Sequence, residues 1–346
     1  MRKFCFRVDG GSIYSVATGH ITRCLKTARY LKARGEQDFV FFMRDYPEGI
    51  RLVEPEFKVI RLPKDIPIED EIQLMGPEFN KNTFFFCDIR NLTQKYIDAV
   101  RSACRKFILF DDLSVKNLQP DILINPTPFS YLNYNTKVCV HTKLLLGEEY
   151  FFVSDHLVKQ ARKRDFSKDH FNILASFGGA DPCNITEYFL NEIVPLLTPH
   201  TVTVVLGPAY KLAAEVQVKY ASLKNVKFVV GPKNLDDLFL SNDIAFVCGG
   251  DTCIESCCSG AATFVISSIS YEKQCAEILS ARNMVVFATD IEDIKAGRVN
   301  KKFMDLIKKS EPRLKAISDQ GMVLVDGSGL KKIYDALMEG EINVAK

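Results

Sequence analysis

The chain contains 346 residues, of which 47% are hydrophobic and 25% are charged, and its formal net charge is +2 at pH 7. This composition is that of a globular protein with room for two α/β domains, and the small, interspersed charge argues against a nucleic-acid-binding tract. No 18-residue window is apolar enough for a membrane-spanning helix, which argues against an integral membrane segment. The eleven cysteines are scattered and no signal-peptide pattern is visible. We therefore expect reduced thiols and a cytoplasmic location.

Strands and helices alternate along both halves of the chain. In the first half, apolar runs predict strands over residues 4–8, 39–42, 58–62, 83–87, 106–110 and 122–124, and helices over 21–34 and 92–103. Residues 126–150 are rich in Pro, Asn, Tyr and Thr and are predicted to be irregular. In the second half, strands are predicted over 172–176, 202–206, 226–230, 244–247, 263–266 and 284–287, and helices over 185–197, 211–222, 235–240, 252–259 and 271–282.

This alternation is typical of doubly wound parallel sheets. We therefore predict an α/β protein with two Rossmann-like domains, over residues 1–155 and 165–346, that face each other across a cleft. A final predicted helix, over residues 330–338, is expected to cross back to the first domain.

The loop after the first strand carries Arg7, Asp9 and a pair of glycines, and it ends at Gly19-His20. Such a loop lies at the carboxyl edge of a parallel sheet, where open α/β folds bind ligands. His20 falls in the first turn of the next helix, where the positive end of the helix dipole disfavours imidazolium. A neutral imidazole there is suited to act as a general base, although a histidine that only caps the helix or touches solvent fits the position equally well.

Polar residues also follow other strands of the first half, namely Asp88, Asp111, Asp112 and Asn125. At a carboxyl edge these side chains could position substrate hydroxyls or orient His20. Capping of the following turn is the alternative role for each of them.

Two glycine pairs follow strands of the second half. Gly178-Gly179 precedes a helix that begins after Asn184, where free N–H groups are expected, and Gly249-Gly250 leads into a helix that carries Glu255. The helix-start amides suit a diphosphate, and Glu255 could accept hydrogen bonds from a ribose. Neither loop matches a Walker or a GxGxxG pattern, so a nicotinamide site is disfavoured. A glycine pair that merely closes a tight turn is the alternative.

Cys253, Cys257 and Cys258 lie on one short predicted helix. Two of them are spaced to share a helix face, but no second pair of metal ligands is present in the sequence. Packing of small residues against a sheet is therefore favoured over a zinc site, and no metal is expected.

Several of these motifs together resemble a known family. The motifs, in order, are Arg7-x-Asp9, Gly19-His20-x-x-Arg23, Phe110-Asp111-Asp112, residues 121–125, 144–150 and 177–181, the 250–255 segment and Gln274. Over residues 1–290 they resemble the UDP-2,4-diacetamido-2,4,6-trideoxy-β-L-altropyranose hydrolases of pseudaminic acid biosynthesis, whose relatives include spore-coat polysaccharide biosynthesis proteins. That family has the GT-B architecture and is similar to the N-acetylglucosaminyltransferase of peptidoglycan synthesis.

The resemblance implies an inverting attack by water on the anomeric carbon of a UDP-sugar, with UDP leaving and His20 as the catalytic base. It implies no cofactor, and no DxD motif is placed to hold a metal on the diphosphate. Other enzymes of a surface-glycan pathway are further candidate partners. The predicted sugar-binding residues are Arg7, Asp9, Gly19, Asp88, Asp112, Asn125 and Gln274, and the predicted nucleotide-binding residues are Gly178, Gly179, Gly249, Gly250, Asp251, Thr252 and Glu255.

Two departures from the family pattern keep other functions open. This chain has Asp88-Ile89-Arg90 where the hydrolases have Asp-His-Tyr, and it has Leu146-Gly147 where an arginine commonly follows the leucine pair. An inverting GT-B glycosyltransferase, with a sugar or lipid-linked hydroxyl in place of water, is the alternative. A third possibility is a nucleotide-sugar-binding protein without catalysis, against which the retention of His20 argues.

Overall fold

A computed structural model describes residues 1–10, 19–111, 118–128, 130, 141–309 and 311–339. The chain divides into two compact units. Unit 1 consists of Met1–Phe152 together with the C-terminal segment from Ser328, and unit 2 consists of Val153–Gly327. Each unit is built on one parallel β-sheet with helices packed against it, which confirms the predicted fold class.

The sheet of unit 1 has seven strands in the order β3-β2-β1-β4-β5-β6-β7. The strands are β1 (Lys3–Val8), β2 (Asp38–Arg44), β3 (Lys58–Leu62), β4 (Thr83–Asp88), β5 (Lys106–Phe110), β6 (Ile122–Asn125) and β7 (Lys143–Leu146). The helices of its N-terminal part are α1 (Gly19–Ala33), α2 (Pro47–Val53), α3 (Glu71–Met75) and α4 (Gln94–Ala103), with 3₁₀ turns at Gly76–Glu78 and Glu148–Tyr150.

Phenylalanines on one face of this sheet stack across neighbouring strands. The parallel register places Phe6 of β1 beside Phe41 of β2 and Phe86 of β4. The Phe6 ring centroid lies 4.7 Å from each of the other two, in a stacked arrangement. All three side chains are fully buried. The near-continuous apolar runs that predicted these strands therefore reflect burial of both sheet faces by helices.

The sheet of unit 2 has six strands in the order β10-β9-β8-β11-β12-β13. The strands are β8 (Asn172–Ser176), β9 (Thr201–Leu206), β10 (Val226–Val230), β11 (Ile244–Val247), β12 (Ala262–Ser267) and β13 (Phe287–Asp290). The helices are α5 (Asp155–Gln160), α6 (Ile185–Tyr188), α7 (Ala213–Lys219), α8 (Asp236–Ser241), α9 (Asp251–Ser259), α10 (Ser270–Ala281), α11 (Ile291–Lys295), α12 (Asn300–Lys309) and α13 (Glu311–Leu324). No helix in the described ranges has both the length and the apolarity needed to cross a bilayer.

Three predicted elements were wrong in part. The stretch expected to be irregular contains β7, whose three leucines are flanked by polar residues that obscure the strand pattern. The last predicted strand begins three residues too early, because Met284–Val286 are buried before the pairing of β13 starts at Phe287. The helix predicted over 185–197 ends as a regular α-helix at Tyr188 and continues as a π turn and a 3₁₀ turn. Pro195 lies in that last turn, and its missing N–H interrupts the helical hydrogen bonding.

The last helix, α14 (Gly329–Met338), packs within unit 1. Its side chains Leu330, Ile333 and Leu337 join the apolar cluster that includes Phe4 and Phe6. A side chain at Gly329 would collide with the carbonyl oxygen of Phe151, so glycine permits the close approach at the start of the helix. The helix therefore completes the core of unit 1.

We expect Ile333→Ala to lower the free energy of unfolding by about 2–5 kcal/mol, because the residue is fully buried and truncation leaves a cavity. Urea unfolding followed by far-UV circular dichroism measures the change. Lys331→Ala is the matched control on the exposed face of the same helix and should change the stability little. Equal effects of the two substitutions would contradict the assignment of α14 to the core.

Candidate active site

The carboxyl ends of β1, β4, β5 and β6 lie side by side in the sheet of unit 1. Asp9, Asp88 and Asp111 lie at three of these ends, and α1 begins at Gly19 immediately before His20. Because parallel strands present their carboxyl ends at a common edge, the topology brings polar side chains together there. Asp112, a predicted sugar-binding residue, lies outside the described residues.

Asp88 joins His20 to Arg23. Its Oδ1 accepts hydrogen bonds from His20 Nδ1 at 2.7 Å and from Arg23 Nη2 at 2.5 Å, and its Oδ2 accepts a hydrogen bond from Arg23 Nε. The Cys24 thiol also donates to Oδ2, at 3.8 Å. The Asp88 side chain is only 1% exposed. One carboxylate therefore holds three residues of the first turns of α1.

Burial opposes the ionisation of Asp88, but the charge of Arg23 and the hydrogen bonds from Arg23 and His20 outweigh it, so that the pKa of Asp88 is lowered from its usual value. His20 Nδ1 lies 2.7 Å from Asp88 Oδ1 and 3.0 Å from Arg23 Nη2, and because an ionised carboxylate only accepts hydrogen bonds, we assign the imidazole proton to Nδ1. Nε2 is then the basic nitrogen of the imidazole. Asp88 fixes the orientation of this base and stabilises the imidazolium that forms when Nε2 takes up a proton.

His20 and Asp88 line a concave site that we call the His20 pocket. Its lining residues are His20, Asp88, Ile89, Arg90, Asn91, Leu92, Leu109, Phe110, Asp111 and Leu118. Five of these residues are apolar and five are polar or charged, so the pocket combines an apolar wall with several groups that can hydrogen-bond. The Arg23 guanidinium also packs over the Phe110 ring, 5.6 Å from its centroid, which ties this wall to the Asp88 cluster.

Arg7 forms a second ionic cluster near the same edge of the sheet. Its guanidinium donates to Glu71 at 2.7 and 2.8 Å and to Asp9 at 2.6 and 2.9 Å. Arg44 contacts both acids, through its backbone N–H to Asp9 Oδ1 at 2.7 Å and its Nε to Glu71 Oε1 at 2.9 Å. The Arg7 side chain is 1% exposed. Arg7 is therefore placed to hold Asp9 in position and not to contact a ligand itself.

Asn125 is fully buried, and its Oδ1 accepts hydrogen bonds from the backbone N–H and the hydroxyl of Thr127 at 3.0 and 2.6 Å. This arrangement is a side-chain cap of the turn after β6, the alternative that the sequence left open. Gln274 is exposed on α10 in unit 2. The residues that the structure brings together are thus His20, Arg23 and Asp88.

In unit 2, the loop after β8 caps its own helix. The Asp181 carboxylate accepts hydrogen bonds from the backbone N–H groups of Ile185 and Thr186, both at 2.8 Å. Burial raises the pKa of Asp181 despite these two donors. The expectation of free N–H groups after Asn184 is therefore wrong for these two amides. The carboxylate of Asp181, three residues before the N-cap residue Asn184, takes the place that a phosphate would need.

Gly178 adopts a left-handed conformation, with φ of +86°. The carbonyl oxygens of Gly178 and Gly179 face Gly207 in the loop after β9, where a side chain would collide with both of them, and Ala209 N donates to Gly179 O at 2.8 Å. The sequence reasoning did not identify Gly207. The signal was a glycine directly after β9, the strand that pairs with β8, whose own glycine pair begins two residues after the strand ends.

The loop after β11 is arranged differently. A side chain at Gly249 would collide with the backbone of Glu272 in α10, whereas a side chain at Gly250 would meet no atom within 4 Å. Gly250 is the N-cap of α9 and has no side chain that could accept a hydrogen bond from Asp251 or Thr252. Glu255 follows in the second turn and is half-buried. At this helix start the N-cap residue makes no side-chain hydrogen bond, and the space that a side chain of residue 250 would occupy is open.

The cysteines of α9 are packing residues. Cys253, Cys257 and Cys258 are all buried, and the Cys257 thiol donates to the carbonyl oxygen of Met284 at 3.3 Å. Within the part of the chain that the structure describes, no group of three His, Cys, Asp or Glu side chains is arranged to hold a metal ion.

No protein-family model matches the chain. The uncharacterised protein MJ1062 of Methanocaldococcus jannaschii is 25% identical over 278 residues. The match covers 78% of this chain and 56% of MJ1062, so the chain spans little more than half the length of that relative.

Several solved structures share the fold. MurG from Acinetobacter baumannii matches with a TM-score of 0.67 and 11% identity over 97% of this chain and 99% of MurG. HepE from Anabaena, in complex with UDP and glucose, matches with a TM-score of 0.58 and 12% identity over 98% of this chain and 100% of HepE. A UDP-N-acetylglucosamine 2-epimerase matches with a TM-score of 0.59 and 12% identity, and the match covers 100% of this chain and 98% of the epimerase chain. These likenesses show that the chain has the GT-B fold.

We expect Glu71→Ala to lower the free energy of unfolding by about 3–5 kcal/mol, because it leaves the buried Arg7 without one of its two carboxylate partners. Glu71→Gln retains a hydrogen-bond acceptor and should have a smaller effect. Glu56→Ala, which removes the exposed partner of Arg29, is the control and should change the stability little. Urea unfolding measures all three variants, and a Glu71→Ala protein as stable as the control would refute the structural role of this cluster.

Proposed function

We propose that this chain hydrolyses a nucleotide sugar, releasing UDP from a UDP-linked, N-acetylated deoxyhexose for the biosynthesis of a surface glycan such as a pseudaminic-acid-like sugar. The observation that carries this proposal is the hydrogen bond from His20 to the buried Asp88 at the carboxyl edge of the unit 1 sheet. A second support comes from structures of the same fold: HepE was solved with UDP-glucose, and another neighbour is a UDP-N-acetylglucosamine 2-epimerase.

In the proposed reaction, His20 Nε2 takes a proton from water while the water oxygen forms a bond to the anomeric carbon. The bond between that carbon and the β-phosphate oxygen breaks, and its electron pair leaves with UDP, so the configuration at the carbon inverts. Asp88 keeps the proton on Nδ1 and stabilises the imidazolium. We assign Asp9 and Gly19 to the sugar-binding side of unit 1, with Arg7 holding Asp9.

We assign the nucleotide to unit 2. The uncapped start of α9, at Gly250, Asp251 and Thr252, is the segment best suited to a diphosphate, because helix-start amides and the helix dipole both favour negative charge. Glu255 is assigned to the ribose hydroxyls and Gln274 to the sugar or phosphate. At Gly178-Gly179 the absence of side chains would let the ligand approach the backbone closely, but this loop would not offer it free helix amides.

A GT-B glycosyltransferase is the second candidate. In that reaction a sugar or lipid-linked hydroxyl replaces water, and His20 has the same role. The observation that favours it is the presence of Ile89 and Arg90 in the His20 pocket, where the resembled hydrolases have His and Tyr.

We expect His20→Ala to lower the rate of UDP release by about 10²–10⁴-fold, because it removes the base, and Asp88→Asn to lower it because the base is no longer oriented. UDP release from a panel of UDP-N-acetyl and UDP-diacetamido sugars, without acceptor, is the measurement. His156→Ala is the matched control, because His156 also contacts an aspartate, Asp237 at 2.7 Å, but is exposed in unit 2. Donor binding by the native chain without any release would exclude the hydrolase and favour the transferase.

We expect Gly250→Ala to weaken UDP binding while leaving the stability close to that of the native chain, because its side chain enters the open space in front of α9. Gly249→Ala should instead lower the stability, since its side chain collides with the backbone of Glu272. Calorimetric titration with UDP and urea unfolding separate the two effects. Native UDP affinity in a folded Gly250→Ala protein would argue against the assignment of the diphosphate to this helix.

A further inference from the structure

Arg90 is the feature of the His20 pocket that the proposed hydrolysis leaves unexplained. It lies two residues after Asp88, at the end of β4, and it lines the pocket together with His20 and Asp88. Its side chain is exposed. The reaction assigned to His20 and Asp88 requires no cation at this position.

Arg90 differs in its contacts from the other arginines. The chain has sixteen arginines, all within the described ranges. Each of the other fifteen takes part in at least one hydrogen bond, ion pair, ring contact or electrostatic interaction. Arg90 has no hydrogen-bond or ion-pair partner among the described residues. A guanidinium group with its whole set of donors available therefore lies at the wall of a pocket.

The acids that share the pocket do not neutralise this cation. The Asp88 carboxylate already accepts hydrogen bonds from His20 and from Nε and Nη2 of Arg23. Asp111 is buried and is engaged in another interaction within the chain. The positive charge of Arg90 is consequently left for a group that enters the pocket from solution.

Arg90 lies in the bend that follows β4. Asn91 adopts a left-handed conformation with φ of +63°, which asparagine tolerates better than most residues, and it lines the pocket as well. Arg90 is thus an exposed side chain two residues from the end of a buried strand.

We propose that Arg90 is a specificity-determining residue that recognises a carboxylate on the sugar ring, so that the nucleotide-linked, N-acetylated deoxy sugar of the proposed function is a sugar acid. The inference rests on the proposed function, since it takes the sugar to lie at the His20 pocket. The planar guanidinium donates two parallel hydrogen bonds to a carboxylate, a match that neutral hydroxyls and amides do not provide. The diphosphate of the substrate is the other anion that could contact Arg90, and the test distinguishes the two.

The test compares the affinities for UDP-glucuronate and UDP-glucose, which differ by a carboxylate in place of a hydroxymethyl group. We expect the native chain to prefer UDP-glucuronate by about 10-fold, the size of one hydrogen-bonded charge pair. Arg90→Gln should abolish the preference by weakening only UDP-glucuronate, and Arg90→Lys should retain part of it, because lysine keeps the charge without the planar fork. Arg51→Gln removes the same charge from an exposed position outside the pocket and should leave the preference unchanged.

Two results would overturn the proposal. The first is a native chain without any preference for the sugar acid. The second is an equal weakening of both ligands by Arg90→Gln, which would place Arg90 on the diphosphate. The same comparison with glucuronic acid 1-phosphate and glucose 1-phosphate is independent of the nucleotide. A preference seen in that pair but no binding of UDP would support the role of Arg90 and refute the assignment of uridine.

Discussion

The buried carboxylate of Asp88 is the group on which the candidate site of unit 1 depends. An ionised acid at 1% exposure is unfavourable unless its charge is compensated, and Arg23 and His20 supply that compensation through hydrogen bonds to both carboxylate oxygens. Both donors lie in the first two turns of α1, whereas the acid ends β4. Because the Asp88 carboxylate needs these donors, it fixes the start of α1 against the end of β4. The orientation and tautomer of the imidazole follow from the same contact.

The Arg7 cluster also compensates a buried charge, but it does so to hold neighbouring residues in place. Arg7 in β1, like Asp88 in β4, is a buried charge near the carboxyl edge of the sheet, and Glu71 and Asp9 compensate it. Here the participating charges are satisfied within the cluster, and the side chains nearest solvent are Arg44, at 25% exposure, and Asp9, at 15% exposure. The cluster thus holds the Asp9 carboxylate in place directly after β1. A polar side chain at the carboxyl edge can either contact a ligand or hold a neighbouring side chain in place. The extent of its burial indicates which of these two roles is open to it.

Much of the fold could be predicted from local pattern. Strands such as β4, with three consecutive phenylalanines, are read directly from apolar runs, and the position of His20 in the first turn of a helix follows from the residues after it. The pairing of His20 with Asp88 was not predictable with the same certainty, because 68 residues separate them and their contact depends on β4 lying next to β1. The same holds for Glu71, which is 64 residues from Arg7 and showed no local signal of its role. Long-range compensation of buried charge is a property of the topology, which local sequence patterns do not contain.

The two glycine pairs of unit 2 are similar in sequence but differ in whether the helix that follows can bind an anion. Both follow a strand and precede a helix, and both allow close backbone approach. After Gly178-Gly179, however, Asp181 occupies the amides of the next helix, and the glycine carbonyls are packed against Gly207. After Gly249, the residue at the N-cap is Gly250, which offers the first amides of α9 no side-chain acceptor. At the start of α9 an anion would replace only water. At the start of α6 it would have to displace the Asp181 carboxylate. The two hydrogen bonds from helix amides to the Asp181 carboxylate therefore favour the second loop as the site for a diphosphate.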